Sequence, residues 1–159
     1  MARRPPELYL VDHHAGSVAG LELAKRAARN NRGTPAGEAL EQLVGEIRAD
    51  QRTLELVLAL VGTRPSRLKD GVGWTAEKLG RLKLNGRLRG PSPLGRLYEL
   101  EALSLGVAGK RALWRALQEV PELANTPELD LPELERRADE QLGRLEELRR
   151  EAAAAALHD

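Results

Sequence analysis

The chain has no cysteine and no phenylalanine, a single methionine, and only four aromatic side chains: Tyr9, Trp74, Tyr98 and Trp114. Without cysteine there is no disulfide framework, thiolate zinc site, iron–sulfur cluster or cysteine nucleophile. The shortage of aromatic residues, set against an abundance of Leu, Ala, Arg and Glu, favours helix over sheet and predicts no strands. The N-terminal arginines are followed by no apolar run of signal-peptide length, and no window approaches the ~18 apolar residues of a membrane span. The chain therefore reads as cytoplasmic, with no membrane partner. Charge of one sign is not in excess either. The 25 basic residues against 24 acidic ones give no global electrostatic reason to bind nucleic acid.

What is present is helical periodicity cut by Gly, Pro and Asn. The interruptions are NNRGTP at 30–35, GTRPS at 62–66, NGRLRGPSP at 85–93 and PELANTPELDLP at 121–132. Five helices are predicted, at about 6–29, 35–61, 66–84, 92–119 and 131–156, in one domain covering 1–159. Ser92 before Pro93 and Asp130 before Pro132 read as helix starts. The prolines of 121–132 favour an extended connection. Four of the segments are of similar length, as four sides of one bundle would be. Short loops make hairpins of the first pair and the last pair, and the middle segment is long enough to carry the chain back along the bundle. The fold class is thus all-α: a four-helix bundle with ferritin-like connectivity, two hairpins plus a long crossover, and an additional crossover helix.

The order of helices resembles a ferritin-like bundle. DHHAGSVAGLELAKR at 12–26, GTRPS at 62–66 and the stretch from Trp74 to Leu117 are also similar to an uncharacterised actinobacterial helical-bundle family. That likeness implies a helical fold and brings no activity with it. The ferritin-like class implies a di-iron site with a carboxylate from each of two helices and a Glu-x-x-His pair from each of the other two. Glu-x-x-His does not occur in this chain.

Polar residues on the inner stripes are the remaining candidates. If the first two helices turn back at 31–33, residues equally far from the turn are level, because both helices rise about 1.5 Å per residue. His14 and Asp50 then stand at one depth, within hydrogen-bond reach. Ser17 and Glu46, one turn away from each, complete a buried polar cluster of His14, Ser17, Glu46 and Asp50. The main reading of this cluster is structural, a satisfied core group that fixes the hairpin register. A second reading makes His14, Glu46, Asp50 and Glu101 a noncanonical site for iron, manganese or zinc. His13 is expected to be exposed or interfacial and His158 to lie at a frayed end. Gly16 and Gly20, with Ala27, are expected to let another helix approach closely.

Charge is polarised locally. Eight basic residues against two acids give 64–89 a net +6, and nine acids against five bases give 128–151 a net −4. Lys78, Arg81, Lys83, Arg87 and Arg89 are the candidate anion-binding set, although only Trp74 stands near as a stacking platform and no phosphate-loop motif is present. No catalytic constellation is found. The reading is a non-enzymatic structural or interaction bundle whose partner is a protein or a second copy. The alternatives are a degenerate metal-carboxylate protein and an anion or nucleic-acid binder.

Overall fold

The structure is a computed structural model describing residues 4–63 and 92–158. Among the described residues there are five helices and no strands: α1 (Pro5–Asn30), α2 (Pro35–Leu60), α3 (Pro93–Gln118), α4 (Pro121–Ala124) and α5 (Leu131–Leu157). None is long and apolar enough to cross a membrane. The helix expected at 66–84 lies outside the described residues.

Three of the five helix starts follow one chemical rule. Thr34, Ser92 and Asp130 each accept a hydrogen bond from the backbone N–H three residues on, at 3.0–3.1 Å, and each helix has a proline in its first two positions. The side-chain oxygen satisfies a donor that the helix cannot, and proline lacks the N–H that would otherwise go unpaired. Helix α2 ends in a Schellman motif: Gly62, at φ 76°, donates to Ala59 O while Thr63 donates to Leu58 O. The 121–132 connection was expected to be extended because of its prolines, but it is not wholly so: Pro121 opens the short helix α4. Asn125 Nδ2 bonds back to Pro121 O at 2.8 Å, and Leu123 is buried.

The α1–α2 turn is built around Asn31. Its side chain donates to Ala27 O at 2.8 Å, and its carbonyl accepts from the Thr34 hydroxyl at 2.7 Å and the Thr34 N–H at 3.2 Å. Gly33 takes the left-handed conformation at φ 79° that reverses the chain. Gly37 permits the turn to close, since a Cβ there would fall 2.2 Å from Asn31 O.

Ion pairs give the relative directions of the long helices. Arg115–Glu135, Arg111–Asp139 and Arg149–Glu101 run in opposite order along α3 and α5. Arg137–Asp50 and Arg144–Glu46 do the same for α5 and α2. Helices α1 and α2 form an antiparallel hairpin, and the end of α1 meets the start of α3 where Arg26 and Asn30 hold the buried Glu99 carboxylate at 3.0 and 3.1 Å. Each long helix thus has two antiparallel neighbours, in the cyclic order α2, α1, α3, α5. Between them lies one core in which Leu40, Leu58, Leu100, Trp114, Leu131 and Leu145 are almost fully enclosed. The α3–α5 and α1–α2 contacts are extensive, and α1 meets α3 more sparingly.

The turn geometry makes two glycines of α2 respond oppositely to the same change. Gly37→Ala should destabilise the protein by about 1–3 kcal/mol, because backbone must move. Gly45→Ala, whose Cβ meets nothing within 4 Å, should stabilise it by about 0.5–1 kcal/mol through helix propensity. Urea unfolding of both variants reads the difference, and equal effects would contradict the close approach at Asn31.

Candidate functional site

Three polar residues occupy positions that the helical repeat assigns to the core. Asp50 lies between Ile47 and Leu54 on α2, Lys110 between Val107 and Trp114 on α3, and Gln141 between Ala138 and Leu145 on α5. Three-and-four spacing turns all of them inward, where they meet. Asp50 Oδ2 accepts from Lys110 Nζ at 2.6 Å and Gln141 Nε2 at 3.3 Å, and Oδ1 accepts from Arg137 at 2.6 Å. Gln141 is fully buried. Its Oε1 accepts from Lys110, and its Nε2 also donates to Glu46 Oε2 at 3.0 Å. The opposite amide orientation would set a carbonyl against two carboxylates, so the network fixes the amide. Arg144 and Gln42 complete the bonds to Glu46.

This network tunes its members. Burial pushes the Lys110 ammonium below its ordinary 10.5; the Asp50 charge and hydrogen bond oppose the shift, and Arg137 adds to it. The folded state therefore releases this proton before the unfolded state does, and the Lys110 contribution to stability rises with pH between the two values. For Glu46, burial acts upward, but hydrogen bonds from Arg144, Gln141 and Gln42 together with the Arg144 charge outweigh it. The Glu46 carboxyl lies below its ordinary 4.5.

Of the four residues expected to cluster, Glu46 and Asp50 are joined through Gln141, whereas His14 and Ser17 are elsewhere. His14 Nε2 bonds Glu55 Oε1 at 3.2 Å, not Asp50, and Ser17 Oγ donates to the His14 carbonyl at 2.7 Å. Equal depth sets height but not direction. Asp50 points across the bundle to α3 and α5, while His14 meets the flank of α2. His14 is nevertheless buried, and its Nδ1 has no partner. His13 is half-buried rather than exposed, with its ring edge-on to Tyr9 at 4.6 Å. Burial lowers its pKa against the opposing charge of Asp12. His158 follows Leu157 as the C-cap residue of α5.

The residues considered for a metal do not converge. His14 faces Glu55, Glu101 faces Arg149 at 3.7 Å, and Glu46 and Asp50 are held by Lys110, Arg137 and Arg144. Among the described residues, no group of three or more histidine and carboxylate side chains is placed to hold an ion. The candidate anion-binding residues Lys78, Arg81, Lys83, Arg87 and Arg89 lie outside the described residues. Inspection of the sequence did not find Lys110, Arg137, Gln141 and Arg144. For Lys110 and Gln141 a signal was there, a polar residue in step with the apolar repeat.

Beside the network, a cavity of about 370 Å³ opens between α1, α2 and α3. Gly16 and Gly20 on α1 and Gly106 and Gly109 on α3 form part of its walls, and Asp50 and Lys110 are also among its lining residues. Among the described residues, no close helix approach occurs at Gly16 and Gly20. A Cβ at any of these four positions would meet nothing within 4 Å.

Comparison with models of protein families, with curated proteins and with solved structures finds no match.

Asp50→Ala should cost about 3–5 kcal/mol in urea unfolding, because it strands Lys110 and Arg137 beside the core. Lys110→Met should cost less, since Asp50 keeps Arg137 and Gln141. The reverse order would show that the ammonium, not the carboxylate, organises the network. Glu46 supplies a pH dependence with a definite sign. Its depressed pKa contributes stability above the ordinary 4.5 that disappears as pH falls through the lower folded value. The melting temperatures of wild type and Glu46→Gln should therefore differ most above that pH and approach each other below it. A constant gap would exclude ionisation of Glu46 as the cause.

Proposed function

We propose that this protein is a non-enzymatic helical bundle of ferritin-like connectivity that serves as a binding or interaction module. One observation carries the reading: the carboxylates at the middle of the bundle are occupied by the protein's own cations. A metal-carboxylate bundle needs inward carboxylates and histidines with lone pairs free to coordinate. Here Lys110 and Arg137 bond to Asp50, and Arg144 bonds to Glu46. A divalent ion at that position would meet positive charge. The connectivity is supported by helix direction. Helices α2 and α3 point the same way, so the end of α2 and the start of α3 lie at opposite ends of the bundle, separated by the length of a 26-residue helix, about 39 Å.

The network also explains why a chain with no catalytic constellation keeps ionic groups inside. A hydrophobic contact accepts many registers, whereas Asp50 is satisfied only when α3 and α5 present Lys110, Arg137 and Gln141 together. These groups specify the arrangement of helices around the cavity.

Elemental analysis of tag-free protein after dialysis, beside a His14→Ala, Glu46→Gln double variant, tests this reading. Iron, manganese and zinc are expected far below one per chain in both. Near-stoichiometric metal in the wild type and none in the variant would replace the module with a metalloprotein of altered ligand set.

A further inference from the structure

The cavity between α1, α2 and α3 has a mostly apolar wall, to which Ile47 and Leu54 on α2 and Leu103 and Val107 on α3 contribute. On α1 its lining runs from Tyr9 to Gly20, about 16 Å along the helix axis. Its volume of about 370 Å³ lies within the range usual for small-molecule sites. The space opens to solvent, for Leu105 and Tyr9 in its lining are 76% and 40% exposed. An occupant therefore needs an apolar body, and the charge in the lining selects its polar end.

Three charged side chains belong to that lining: Asp12, Asp50 and Lys110. Two of them cancel. Lys110 Nζ bonds Asp50 Oδ2 at 2.6 Å, and the other Asp50 oxygen holds Arg137 at 2.6 Å, so the Asp50 carboxylate is already engaged by the protein. Asp12 is different. It is exposed, and among the described residues no ion pair or hydrogen bond engages its side chain. The lining thus carries one uncompensated negative charge, and exposure sets it on the solvent side of the space. The adjacent His13 is a poor source of the missing cation, because burial pushes its pKa below the ordinary 6.5 and outweighs the Asp12 charge.

Position adds a second element of recognition. Tyr9 and Asp12 both line the cavity and stand three residues apart on α1, a spacing that puts their Cβ atoms on one helix face about 5–6 Å apart. An aromatic ring and a free carboxylate side by side are complementary to an ammonium group, through cation–π attraction to the one and a charge-assisted hydrogen bond to the other. An anionic head would be repelled by Asp12, and an uncharged head would gain neither contact.

We propose that this cavity is a binding site for an amphiphilic cation, an alkylammonium whose head sits against Asp12 and Tyr9 and whose hydrocarbon tail lies along the apolar wall toward Gly20. This names what the binding module holds and so rests on that reading. Burial of the tail supplies most of the affinity. The head decides which amphiphile is preferred, since an ion pair at an exposed carboxylate adds only modestly to binding.

Isothermal titration calorimetry of the full chain with decylammonium, 1-decanol and decanoate, each kept below its micelle concentration, tests this assignment. Decylammonium should bind saturably at one per chain, about tenfold more tightly than decanol, with decanoate the weakest. Asp12→Asn should erase the preference for the cation and leave decanol binding unchanged; Asp12 is exposed, so the fold is not at stake. Gly109→Leu puts a side chain into the lining where a Cβ would meet nothing within 4 Å, and it should abolish decylammonium binding while the circular dichroism stays helical. The inference is overturned by absent or non-saturable decylammonium binding, by decanol or decanoate binding as tightly, by a cation preference that survives Asp12→Asn, or by unchanged binding in helical Gly109→Leu. The two readings fail separately. Stoichiometric metal overturns the module, and failure of decylammonium to be preferred by metal-free protein overturns the ligand class.

Discussion

A buried carboxylate that needs three donors from two other helices governs this bundle. Asp50 is 3% exposed, and a charge so far from water is tolerated only when its lone pairs are occupied. Its donors are Lys110 on α3 and Arg137 and Gln141 on α5. The height and rotation of three helices are thereby tied to one side chain. Leucine-lined stripes would accept several registers at similar energy, and this network accepts far fewer.

The second consequence concerns space. With α2, α3 and α5 held together by the network, α1 is held mainly by α2 through the tight turn at Asn31 and Gly37 and by the Arg26–Glu99 pair near the start of α3. Along the rest of their length α1 and α3 face each other through glycines and meet sparingly. The cavity is therefore a product of where the fold places its strong contacts. Rigid groups lie on one side and at one end, and open volume lies where side chains are missing.

Much of the fold was legible in the chain, and for local reasons. Ser92 and Asp130 were legible as helix starts because proline follows within two residues and a helical repeat begins there, and the hairpins follow from short connections. The candidate site was legible only in part. Asp50 was recognised as an inward polar residue, but its partner was taken to be His14, because depth along a hairpin can be counted and direction around a helix axis cannot. Lys110 and Gln141 broke the apolar repeat in the same way as Asp50 and were passed over, because a long polar side chain at a core position reads equally well as a solvated one. Gly16 and Gly20 were taken for a close-packing strip. Small residues permit either contact or a gap, and their spacing is the same in both cases.

The sequence by itself determined the helical class, the helix ends and the residues that face inward, because hydrogen-bonding side chains at the caps and the 3.6-residue repeat act within a few residues of one another. Only the tertiary structure decided which inward charges meet, that Glu46 and Asp50 are engaged by cations and an amide from α3 and α5, and that the glycines of α1 and α3 border a cavity. Those outcomes depend on distances between residues 60 or more apart in the chain, as in the Lys110–Asp50 pair. Such distances are set by the packing of whole helices, on which no local spacing bears.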